Sequence, residues 1–256
     1  MKAVLFASTL LATAFAGAAH AQTVAALVGG DTLVHVDAKA KKVTKTVKIT
    51  GAGPIVGIDV RPADGMLYGL ASDGTVVTID PASGKATMKS KLETMLPAGT
   101  MATVDFNPVA DRLRVIGSNG MNLRANVDDG KVTKDGDLKF ADTDMHKGEK
   151  PNVIAGAYTN SVKGTKSTTL FDIDGTIGGL LKQAPPNDGV LGAVGKLGVT
   201  ASSWSFDIMS SAEGTNSAWL MGDDTLYSVD LDTGKATSAG KIEGVKGKIT
   251  DIAILQ

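Results

Sequence analysis

The chain of 256 residues contains no cysteine, which excludes disulfides, a lipid-modified N-terminal cysteine and thiolate metal sites together. Histidine is nearly as scarce, with only His35 and His146 beyond residue 21. Neither a G-x-S-x-G nucleophile elbow nor a phosphate-binding P-loop occurs, so enzymatic chemistry has few residues to stand on. Aromatic residues make up 4% of the chain, and Trp204, Trp219 and three tyrosines must also serve the core, which argues against a sugar-binding lectin built on aromatic platforms. An excess of charge of either sign is missing too: 26 basic residues face 27 acidic ones, and a nucleic-acid partner would need a concentrated basic surface.

The opening segment, MKAVLFASTLLATAFAGAAHAQ, has a single basic residue, Lys2, an apolar run, and Ala19 and Ala21 spaced as A-x-A before Gln22. That is the layout of a cleavable secretory signal, expected to occupy residues 1–21. Ser and Thr interrupt the run and no stop-transfer pattern follows, so a retained membrane helix is disfavoured. The mature domain, residues 22–256, is expected to be periplasmic or secreted, with no membrane insertion once the signal is cleaved, and long enough to bury its own core.

Internal repetition decides the architecture. GIDVRPADGMLYGLASDGTVVTIDPASGKAT (57–87) aligns without a gap on TVDFNPVADRLRVIGSNGMNLRANVDDGKVT (103–133), and SFDIMSSAEGTNSAWLMGDDTLYSVDLDTGKAT (205–237) ends in the same Gly-Lys-Ala-Thr. GDTLVHVDAKAKKVT (30–44) is a partial copy, and VIAGAYTN (153–160) with TTLFDIDG (168–175) a more divergent one. Each copy alternates β-prone apolar residues with polar ones between Gly, Asp and Asn turns, the pattern of a small antiparallel sheet of about four strands. Asp37, Asp80, Asn126, Asp174 and Asp230 are expected to end equivalent strands. The N-terminal copy lacks an opening strand, and ITDIAIL (249–255) resembles IVGIDV and ATVDF, which open other copies. If that last strand joins the first unit, the ring closes and no long sheet edge is left open. The expected fold is all-β: a five-bladed β-propeller whose C-terminal strand completes the N-terminal blade. Six blades, with one hidden in 176–204, is the main rival, and a β-sandwich the third.

GIDVRPADGMLYGL, DFNPVADRLRV, NLRAN, AYTNS, TTLFDID and PPNDGVL, in this order, resemble the secreted bacterial family called domain of unknown function 4394. The resemblance covers nearly all of the mature chain. It implies a propeller-like fold and an exported location, and carries no activity and no catalytic residue.

Several groups of residues are candidates for function. Arg112, Arg114 and Arg124, with Asn107, could form an anion cradle, but alternation places only Arg112 and Arg114 on one face. Arg124 aligns with His35, Thr78, Asp172 and Ser228, a position tolerant of any chemistry. A structural role is therefore favoured, with the stems covering apolar surface and the heads pairing with carboxylates or carbonyls. Asp80, Asp174 and Asp230 lie in Asp-Gly contexts like calcium loops, yet recur as the turn residues a tight hairpin requires. Asp59, Asp105, Asp207 and Asp251 are expected on the channel-lining strands, either binding a cation or, as favoured, accepting backbone N–H bonds that tie neighbouring blades. Asp142, Asp144, His146 and Glu149, on a rim loop, are the metal candidate, with mixed ligands suited to Zn, Mn, Ni or Cu.

These features read as an exported, non-catalytic, monomeric propeller with no cofactor beyond such a metal ion. It would act as a binding or scaffold module for an unidentified protein or small-molecule ligand. Contacts are expected on a rim built by 93–102, 141–152 and 182–204, with Asn107, Arg112, Arg114, Tyr158, Asn160, Asn187, Asp188 and Trp204 as binding residues. A metal-dependent hydrolase with carboxylate ligands at the channel mouth is the alternative, and a cell-envelope structural protein the third reading.

Overall fold

The computed structural model describes residues 22–255, so the expected signal at 1–21 lies outside it. The first blade contains β1 (Thr23–Val28), β2 (Thr32–Asp37) and β3 (Lys42–Lys48); the second contains β4 (Ile55–Val60), β5 (Leu67–Ala71), β6 (Thr75–Ile79) and β7 (Ala86–Lys91). The third is β8 (Ala102–Asn107), β9 (Arg112–Gly117), β10 (Asn122–Ala125) and β11 (Val132–Lys134). The fourth has β12 (Lys139–Phe140), β13 (Val153–Tyr158), β14 (Leu170–Asp174), β15 (Gly179–Gln183) and β16 (Val190–Lys196). The fifth is β17 (Trp204–Ser210), β18 (Asn216–Gly222), β19 (Thr225–Val229) and β20 (Ala236–Lys241).

The last strand, β21 (Ile249–Leu255), pairs antiparallel with β1, with Thr23 opposite Leu255 and Val28 opposite Ile249. The sheet orders are β21-β1-β2-β3, β4-β5-β6-β7, β8-β9-β10-β11, β13-β14-β15-β16-β12 and β17-β18-β19-β20. This is a five-bladed propeller closed as expected: β21, β4, β8, β13 and β17 each pack on two neighbours around a central axis. No sixth blade lies in 176–204, because that segment supplies β15 and β16 together with a short 3₁₀ turn at Pro186–Asp188. The fourth blade gains a fifth strand, β12, which runs parallel to β16. Among the described residues no helix is long and apolar enough to cross a membrane.

Apolar side chains form five cores, one in each seam between blades. Val24, Ile252, Met221 and Leu226 meet between the fifth and first blades, and Leu33, Ile58, Leu67 and Ala253 between the first and second. Burial falls outward along each blade: β5 is buried throughout, whereas β3 exposes most of its residues. Inner strands therefore carry runs of apolar residues, and outer strands carry lysines.

The turns after β2, β6, β10 and β19 share one chemistry. Asp37, Asp80, Asn126 and Asp230 each accept a side-chain bond from a backbone amide two or three residues on, from Ala40, Ala82, Asp128 and Asp232. Turn chemistry rather than calcium ligation accounts for these residues. Asp174 makes the same turn, accepting from Thr176 N at 2.8 Å, but it ends the second strand of its blade, not the third. The expected equivalence of Asp174 with the other four, and of Asp172 with Arg124, is thus one strand out of frame. Asp172 faces Gly156 of β13, the position of Val115 in the third blade.

Candidate functional site

The inner strands present carboxylates to the axis, and each reaches across a seam. Asp59 Oδ2 accepts the Phe106 amide at 2.7 Å, and Asp105 Oδ1 accepts the Tyr158 amide at 3.0 Å. Asp207 Oδ2 accepts the Ile254 amide at 2.6 Å. The same step calls for an accepting carboxylate at position 157 in the fourth blade, but Ala157 has no side-chain acceptor. That seam is joined instead at Asn160, whose amide donates to Asn216 Oδ1 at 2.8 Å. Asp251 ties the first blade to the second by accepting the Ile58 amide at 2.8 Å. Asp251 lies on the channel-lining strand as expected, and the partners give its level: Ala253 stands level with Asp59, and Asp251 lies two residues nearer the start of its strand.

Carboxylate oxygens of Asp59, Asp105 and Asp207 lie within 4.8 Å of one another. Burial disfavours their charged forms most, and mutual repulsion adds to it for Asp59 and Asp105. Asp59 and Asp105 are accordingly held well above the usual carboxylate range. Burial also pushes Asp207 up to about 6, against the pull of its two backbone amides. Asp251 is raised as well, again chiefly by burial. The trio could hold a cation or share protons. Five of its six oxygens already accept backbone amides: those of Phe106, Tyr158 and Ile254 tie blades together, and those of Val60 and Ile208 come from the same strands.

The same strands open at their N-terminal ends into a funnel of about 800 Å³. All five blades contribute: Ile249 from the first, Ile55 from the second, the loop Met95–Met101 ahead of the third, Ile154 from the fourth and Trp204 from the fifth. Glycines on second strands, or just after them, leave room for this wall. A Cβ at Gly117 would press on Leu96 and Thr100, one at Gly175 on Ile154, and one at Gly222 on the Trp204 indole. Of the residues expected to bind, Trp204 lines this funnel; the expected rim segment 93–102 forms much of it, and 141–152 reaches it through Asn152.

The arginines lie elsewhere. Arg114 is 2% exposed and stands between the third and fourth blades. It donates to Tyr158 Oη at 3.1 Å, Asn122 Oδ1 at 2.8 Å, Asp135 Oδ2 at 2.6 Å and Asn187 Oδ1 at 2.8 Å. Arg124, directly opposite Arg114 in the sheet, donates to both oxygens of Asp135 at 2.6 and 2.9 Å. Burial opposes the Asp135 charge, but the two guanidiniums outweigh it and hold the carboxyl below its ordinary value. Arg112 turns away to the carbonyls of Ala110 and Asp111. Arg114 and Arg124 therefore converge, not Arg112 and Arg114, and the anion they cradle is a carboxylate of the chain itself. Asn107 caps its own turn through the amides of Val109 and Ala110.

A family model described as domain of unknown function (DUF4394) matches residues 32–253. The chain belongs to that family. Among solved structures, the DUF4394 chain is similar to a protein of unknown function from Bacteroides thetaiotaomicron, at 15% identity and a TM-score of 0.55, covering 90% of this chain and 63% of that one. It is also similar to a calcium-binding protein, regucalcin, from Agrobacterium tumefaciens, at 14% identity and a TM-score of 0.51, covering 92% and 78%. At such identities the likeness concerns the fold. No curated protein matches the sequence.

In this DUF4394 propeller the loop candidates for metal do not converge. His146 Nδ1 lies 3.1 Å from Glu149 Oε2, but Asp144 Oδ2 accepts the Ala193 amide at 2.7 Å and Asp142 pairs with Lys147 at 3.1 Å. Asn187 and Asp188 sit in the 3₁₀ turn beside the Arg114 network rather than in the funnel. One hub escaped the sequence reading: Arg61, 7% exposed, donates to Asp111 through Nε at 2.8 Å and Nη2 at 2.6 Å, and to Asp64, Asp128 and Tyr68. Its carboxylate partners come from two blades and three separate turns, so no local motif announces it.

Proposed function

We propose that this propeller is an exported, non-catalytic binding module that takes a small ligand into the funnel at the mouth of its channel. The observation that carries the reading is a wall drawn from all five blades around a volume within the roughly 300–1,000 Å³ common for ligand sites. Of the residues lining it, Lys248 alone is charged, and none is His, Asp, Glu or Tyr; the serines and threonines on the wall have no histidine among the lining residues to activate them. The export segment and a periplasmic or secreted location belong to the same proposal and rest on residues 1–21 of the sequence. The test is a thermal-melting screen of the mature protein against a small-molecule library, run beside Ala98→Trp, which fills the funnel. Stabilising compounds that lose their effect on the filled variant support the reading. Compounds that stabilise both proteins alike would defeat it.

The metal-dependent alternative keeps one specific observation, the mutual approach of Asp59, Asp105 and Asp207. Elemental analysis of protein purified without chelator, with melting before and after EDTA, separates the two. A stoichiometric metal and a melting point lowered by EDTA favour the alternative; no metal and an unchanged melt remove it.

A further inference from the structure

The funnel's chemistry is uneven. Met95, Leu96, Ile55, Ile154, Ile249 and Trp204 make its wall apolar, and at its rim stands an exposed lysine, Lys248, one residue before β21 begins. Among the described residues Lys248 forms no ion pair, although Lys48, Lys91 and Lys241 each find a carboxylate within 2.8 Å. Ser202 and Ser203, also on the rim, have their hydroxyls engaged by Asp223 Oδ1 at 2.6 and 3.1 Å. The cavity thus offers a ligand a large apolar surface and one uncommitted cation.

We infer that the funnel binds a single-headed anionic amphiphile, its apolar body against the Leu96, Ile154 and Trp204 wall and its carboxylate or phosphate on the Lys248 ammonium. This inference rests on the proposed binding role and narrows its ligand. Burial of the apolar body supplies most of the affinity, because transfer of each methylene from water onto an apolar wall is favourable. The lysine selects the head: a cationic head would meet like charge, and a neutral head would gain no charge-assisted bond. The stem of Lys248 can lie along the wall while its ammonium stays at the rim.

Isothermal titration of the mature protein with decanoate, decyl phosphate, decanol and decyltrimethylammonium tests it, each probe below its micelle concentration. Saturable one-to-one binding is expected for one or both anions, and the comparison between them distinguishes carboxylate from phosphate ligands. Lys248→Met should weaken anion binding roughly tenfold, about 1.4 kcal/mol, and Lys248→Arg should restore most of it. The melting curve of each variant checks that this exposed position leaves the fold intact. If decanol or the cation binds as tightly as decanoate, or Lys248→Met changes nothing, the anionic head is refuted while a ligand-binding funnel survives. If no probe binds, the amphiphile is refuted, and the binding role is decided separately by the library screen on the filled variant.

Discussion

The Asp251 carboxylate accepts the backbone amide of Ile58 at 2.8 Å, joining the last strand of the chain to the second blade. This bond crosses from β21, the strand that closes the ring by pairing with β1, to β4 of the second blade. Asp251→Ala leaves the buried Ile58 N–H without its acceptor, at a cost of about 1–3 kcal/mol. Urea unfolding should show a lower midpoint with little change in slope. A midpoint equal to that of the parent protein would mean that this bond adds nothing to the stability of the seam.

Removing Arg114 is expected to be far more damaging than removing Arg112. Arg114→Met strands Asn122, Asn187, Tyr158 and the nearly buried Asp135, the situation of a broken buried pair, about 3–5 kcal/mol. Arg112, bonded only to the turn carbonyls of Ala110 and Asp111 at the partly exposed end of its strand, should change stability by no more than about 0.5 kcal/mol when replaced by Ala. Equilibrium unfolding of the two variants side by side checks the ranking.

Asp172 sets a dependence on pH. It is wholly buried, and neither carboxyl oxygen has a hydrogen-bond partner. Burial, offset in part by the charge of Arg114 and reinforced by Asp174, pushes it up from 3.8 to about 8. In that interval the folded protein holds a proton that the unfolded chain releases, so stability falls as pH rises from about 4 to about 8. Asp207, raised to about 6, contributes in the same direction over the lower part of the range. Melting points measured from pH 4 to 9 should therefore decline towards alkali, and Asp172→Asn should flatten the decline. An Asn variant with the parental slope would remove Asp172 as its source. Asp128 acts oppositely: hydrogen bonds from Arg61 and Lys89 lower it to about 2, so its contribution is lost as pH falls below 4.

Gly84 and Gly65 both have positive φ, at 76° and 72°, but only Gly84 is crowded. A Cβ there would collide with the Lys48 carbonyl oxygen of the preceding blade, whereas nothing lies within 4 Å of one at Gly65. Both alanine variants incur the left-handed penalty of about 1–2 kcal/mol. Gly84→Ala should cost distinctly more, since the backbones of two blades must separate. Equal losses in thermal unfolding would show that the seam gives way freely.

The blade count was legible because the turns that end third strands are local: an Asx residue, a small loop and a return strand suffice to recognise them. The same economy misled the reading of the fourth blade, where Asp174 builds an identical turn one strand early. At β21 alternation gives the face of a residue and not its level. Asp251 and Ala253 point the same way, so only the partner amides of Ile58 and Ile254 reveal their levels. The convergence of Arg114 with Arg124, and of Arg61 with Asp111 and Asp128, depends on how strands and blades twist past one another, which no spacing along the chain encodes. Of the funnel, Trp204 and the apolar loop 95–101 were visible as rim; the second-strand glycines that make room for them were not.

The pairing of β1 with β21 sets Thr23 beside Leu255, while Ile249, at the other end of β21, belongs to the funnel. Both ends of the domain consequently leave from the face opposite the funnel. A tether or fusion partner attached at either terminus would hold the molecule like a cup by its base, with the mouth turned outward.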